Sequence, residues 1–154
     1  MDIQLVAGDI PGLRHEGMHA ICHKPGQAMP SWLSEGLAQY FESFVAGRSM
    51  GEIDSGTAAK ALFALRGGTS CVNVIGADGD AFRLEGNDVP YAVSVAIVAA
   101  MIEGPDRERF VEFVKRRGWA DGSPYQAFAQ TFGSDYNPDL IVRTYLEGKI
   151  GHGN

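Results

Sequence analysis

The chain has 154 residues, 45% of them hydrophobic and 21% charged, which is the composition of one globular domain able to bury its own core and not of a disordered segment. A formal net charge of −6 opposes contact with a phosphate backbone, so nucleic acid is excluded as a general partner. Two cysteines, Cys22 and Cys71, make neither a disulfide framework nor a CxxC pair; they could bridge each other in an oxidising compartment, but are expected as buried free thiols.

In chain order, the opening MDIQLVAGDI lacks a basic region leading into a long apolar stretch, so no signal peptide is expected. A place outside the cytoplasm stays open if the chain is a piece of a longer protein. Residues 3–7, IQLVA, read as a short strand, and Asp9 and Pro11 then start a helix over about 11–24 that Pro25 and Gly26 end. The apolar spacing of Trp32, Leu33, Gly36, Leu37, Tyr40, Phe41 and Phe44 predicts a second helix from about Ser31, closed by Gly47. TAAKALFALRG is a shorter helix. The glycine-rich GGTSCVNVIGADGDAFRLEGND after it carries two β-like runs around a turn, as a hairpin or an irregular flap. VPYAVSVAIVAAMI, residues 89–102, is too short to span a bilayer and reads as a buried core helix. Helices over about 105–117, SPYQAFAQTFG and NPDLIVRTYLEGK complete the chain, and the tail IGHGN is expected to fray. Arg107, Arg109, Lys115, Arg116 and Arg117 alternate with Glu108 and Glu112, as on a solvated helix face.

The chemistry concentrates in HEGMH, residues 15–19. Residues four apart on a helix share a face, so His15 and His19 can aim two imidazoles at one point, and Glu16, turned by about 100°, can reach a water there without being a ligand. This is the HExxH arrangement, in which the histidines bind zinc and the glutamate is the general base; the bland reading is an ordinary helix face. A catalytic zinc needs a third protein ligand. Glu35 is the candidate, because a carboxylate among Trp32 and Leu37 is costly to bury unless a cation compensates it; otherwise it points to water. Gly36 beside it suggests close approach of another backbone, since glycine within a helix costs about 1 kcal/mol against alanine. His23 is rotated away from the pair and is read as surface, Cys22 as packing, and His152 as uninvolved.

HEGMH followed by PSWLSEGLAQYFE resembles the gluzincin metallopeptidases, in particular the peptidase MA-like domains related to the catalytic domain of aminopeptidase N and to thermolysin. The resemblance covers about residues 13–147 and implies that His15, His19 and Glu35 hold one Zn2+ per chain with Glu16 as base. It also implies a role for Tyr91, in NDVPYAVSVAIVAAMIEG, as donor to the oxyanion; the plainer alternative is a tyrosine capping a core helix. The implied fold is a mainly α, gluzincin-type helical domain over 1–154, either truncated at its start or a reduced version of the domain. Its N-terminal β-sheet is reduced or missing, because only IQLVA could supply a strand for extended substrate. The expected activity is zinc-dependent hydrolysis of peptide or protein substrates, with no membrane span. A reading of another class is a metal-binding or scaffold domain that keeps the fold without hydrolysis. An ordered substrate-binding strand together with an open zinc site favours the enzyme, and a blocked site or diverging ligands favour the scaffold.

Overall fold

The computed structural model describes residues 11–22, 28–42, 51–77, 79–83, 86–116 and 123–151. Among them are eight α-helices and no strand: α1 (Pro11–Cys22), α2 (Ser31–Glu42), α3 (Ser55–Arg66), α4 (Cys71–Gly76), α5 (Val89–Glu103), α6 (Arg107–Arg116), α7 (Pro124–Phe132) and α8 (Pro138–Gly151), with a 3₁₀ turn at Gly79–Ala81. The mainly α expectation holds. IQLVA, Phe44, Gly47, His23 and His152 lie outside the described residues, as does the side chain of Cys22.

Helix α5 is the axis of the fold. Ten consecutive residues, Ala92 to Met101, are buried, so no face is left for solvent and neighbours must surround it. Helices α2, α3, α4, α6 and α8 all pack on it, and α2 also carries α1 on its other side. The tightest approach is between α2 and α5. A Cβ on Gly36 would lie 2.7 Å from both the carbonyl oxygen of Ser94 and Cγ2 of Val98, so glycine is required there for the helices to meet. At one end of the core Trp32 meets Phe128 edge-on at 6.0 Å, and Phe128 stacks on Phe132 at 4.5 Å, joining α2 to α7.

The far end of α2 is tied by a polar link. Tyr40 Oη donates to Oε1 of Glu103 over 3.2 Å, while Lys149 Nζ sits 2.7 Å from Oε2 of the same carboxylate. Burial, and then the adjacent Glu103 charge, push the Tyr40 phenol well above its ordinary value, so it stays a donor.

Two expectations need correction. The first β-like run of the glycine-rich segment, CVNVIG, is helix α4, and its turn is helical at Gly79–Ala81. Ser70 caps α4 by accepting the Val72 N–H at 3.1 Å, and Asp139 of α8 accepts both the Ser70 hydroxyl and the Cys71 N–H. A contact from 68 residues away thus overrides the β-branched preference of Val72, Val74 and Ile75. The second correction is at the tail, where α8 runs through Ile150 to Gly151. Cys71 is a buried free thiol, as expected; burial and the Asp139 charge raise its pKa and keep it protonated. Arg107, Arg109 and Lys115 are exposed on α6, where Arg109 pairs with Asp106 and Lys115 with Glu112, which is the solvated face anticipated.

Candidate metal centre

Helix α1 lies along α2 and brings HEGMH against the face of α2 that does not meet α5. One ligand atom each from His15, His19 and Glu35 falls within 4.8 Å of the others. Nε2 of His15 and Nε2 of His19 are 3.1 Å apart, and Oε2 of Glu35 is 3.5 Å from the first and 3.7 Å from the second. Ligands at two corners of a tetrahedron around zinc, with bonds of about 2.0–2.1 Å, are separated by about 3.3 Å. The three distances straddle that value. The Glu35 side chain is 12% exposed and turned to the imidazoles, so the alternative of a carboxylate pointing to water does not hold.

The outer nitrogens of both rings are also engaged. Oε2 of Glu42 lies 3.3 Å from Nδ1 of His15, and Oγ of Ser34 lies 2.8 Å from Nδ1 of His19. A carboxylate only accepts, so in a neutral His15 whose Nδ1 donates to Glu42 the Nε2 lone pair would face inward. The Ser34 hydroxyl can accept from Nδ1 of His19 and would then do the same for the second ring. Two lone pairs and a carboxylate oxygen then face one another, an arrangement that a cation relieves. A proton could bridge only one pair of these atoms, whereas a divalent ion serves all three. Carboxylate and hydroxyl partners on metal-ligating histidines fix ring orientation and raise ligand basicity.

Glu42 and Ser34 are the residues that sequence reasoning missed. A signal was available for one of them: Glu42 is seven residues, or about two turns, beyond Glu35 and therefore on the same face of α2.

Beside the triad is an open cavity of about 500 Å³, walled by Glu16 and His19 of α1, Ser34 and Glu35 of α2, Met29 and Arg83. Glu16 is exposed to it, within the same wall as the ligands but not among them. Tyr91 stands in the first turn of α5, half-buried, with its ring edge-on to Phe82 at 5.1 Å. Tyr91 is not among the residues that line the cavity, so the structure does not bring it together with the triad and Glu16. A larger cavity of about 780 Å³, mostly apolar, lies between Met18, Leu37, Phe41, Ile102 and Phe110 and does not include the imidazoles.

No family model matches the chain, and comparison with curated proteins and with solved structures finds no match to either. Among the described residues no single helix is long and apolar enough to cross a membrane.

Proposed function

We propose that the protein is a zinc-dependent peptidase of gluzincin type, hydrolysing a peptide bond in the cavity beside His15, His19 and Glu35. The observation that carries this reading is the convergence of the three ligand atoms within 4.8 Å, with Glu16 on the adjoining wall. Of the two features that would favour hydrolysis over the scaffold alternative, the converging ligands beside an open cavity are present, while no substrate-binding strand is found among the described residues.

His15, His19 and Glu35 would hold the ion, and Glu42 and Ser34 would keep the two rings in register. When bound, zinc supplies a Lewis acid and lowers the pKa of a water to about 7. Glu16 would accept the proton of the attacking water and return it to the leaving amine. Tyr91, on the resemblance, donates to the developing oxyanion, without adding charge. The cavity, open to solvent and walled by only a few side chains, admits a segment of peptide and leaves its flanks outside.

The test is Glu16→Gln on zinc-loaded protein, assayed against a peptide library. The amide keeps size and loses the proton-accepting function, so zinc content and fold stay and cleavage is lost. Cleavage at the parental rate would remove Glu16 as the base, and a parent that cleaves no peptide would remove the peptidase reading.

A further inference from the structure

We infer that Arg83 makes the cavity selective for substrates carrying a carboxylate near the scissile bond, as an acidic side chain or as a free chain terminus. This rests on the metal-centre reading above and adds the substrate class to it. Among the described residues in the cavity wall, Arg83 is the one cationic side chain, and it faces a wall otherwise supplied with the carboxylates of Glu16 and Glu35. A divalent ion offsets those two carboxylates within the cavity, while Glu42, the third carboxylate of the centre, lies against Nδ1 of His15 outside the wall. The guanidinium is thus the cationic group that the cavity wall itself presents to a ligand, in a protein whose formal net charge of −6 otherwise repels anions.

Arg83 is held at the rim by its neighbours. The backbone N–H groups of Phe82 and Arg83 both donate to the carbonyl of Gly79 at 3.1 Å. The Phe82 ring is fully buried against Tyr91, so the turn is anchored to the first turn of α5 while the next side chain is exposed to the cavity. A guanidinium stays charged at any working pH and matches a carboxylate with two parallel hydrogen bonds. A group placed this way selects among ligands without serving as a metal ligand or a base.

The test compares two hydroxamates that share one metal-binding head: acetohydroxamate, and the monohydroxamate of succinic acid, which adds a carboxylate. Each is titrated calorimetrically into zinc-loaded parent, Arg83→Ala and Arg83→Lys. The parent is expected to bind the succinic compound at least about tenfold more tightly than acetohydroxamate, the ratio falling to near one in Arg83→Ala and being partly kept in Arg83→Lys. Equal affinities in the parent, or a ratio unchanged in Arg83→Ala, overturn the role of Arg83 while leaving the metal centre standing. Binding of neither compound to protein shown to hold zinc also overturns the inference, whereas a parent that takes up no zinc removes the metal centre and this inference with it. Three peptides then separate the sources of the carboxylate: one with an acidic residue and an amidated end, one neutral with a free end, and one neutral and amidated. Faster cleavage of the first assigns Arg83 to an acidic side chain, faster cleavage of the second assigns it to a chain terminus, and equal rates for all three overturn the selectivity.

Discussion

The two long faces of α2 obey opposite rules. Toward α5, the helix presents Gly36, so close that a single added methyl group collides with Ser94 and Val98, with the buried Leu33 and Leu37 one turn and one residue away. Toward α1 it presents Ser34, Glu35 and Glu42, each engaged with an imidazole. The first face is stabilised by excluding water and filling space. The second costs desolvation of a carboxylate and has a purpose only if something positive arrives. A helix can support such a second face because its first is firmly fixed: the polar groups of a site need a rigid element behind them to hold a geometry of a few tenths of an ångström.

Beyond the proposed base and ligands, the largest effect expected of a single substitution is on catalysis, at Tyr91 of α5. If Tyr91 donates to the oxyanion, Tyr91→Phe lowers turnover by about 10²–10³-fold, roughly 3–4 kcal/mol, with the Michaelis constant and zinc content nearly unchanged. If its ring only packs against Phe82, the rate stays within about threefold of the parent, and steady-state kinetics on any cleaved peptide separate the two. Next is Glu42→Ala, which leaves Nδ1 of His15 without its carboxylate and should weaken zinc binding by about 10–100-fold in a chelator competition, with helix content unchanged. Zinc affinity equal to the parent's would mean that Glu42 does not orient the ligand. On the apolar side, Gly36→Ala forces a methyl group into Ser94 and Val98 and should destabilise the fold by about 1–3 kcal/mol in urea denaturation, even though alanine is the better helix former by about 1 kcal/mol. A stabilised variant would show that α2 and α5 can part without loss, and the rigid backing argued for the site would go with that.

Much of this arrangement could be read from the sequence, and what could not has physical reasons. Helix α5 announced itself by an unbroken apolar run, and the structure places it at Val89–Glu103, over the range expected. The triad was legible because a four-residue histidine spacing and a carboxylate inside an apolar helix are both local patterns. Gly36 was legible for the same reason. Helix α4 was not, because its start depends on Asp139, which no local window around Val72 contains. Arg83 was equally hidden: it follows a glycine-rich turn with no periodicity, and only the burial of Phe82 next to it decides where its side chain emerges. Ser34 carries no pattern of its own and gains a role only once α1 is laid against α2.

Whether His15, His19 and Glu35 hold one zinc ion is decided by metal analysis of the purified protein. Protein isolated from zinc-containing medium and freed of loosely bound metal should contain about one zinc per chain, and His19→Ala, folded by circular dichroism, should contain almost none. A parent without zinc, or a His19→Ala variant that keeps the full complement, would contradict the assignment.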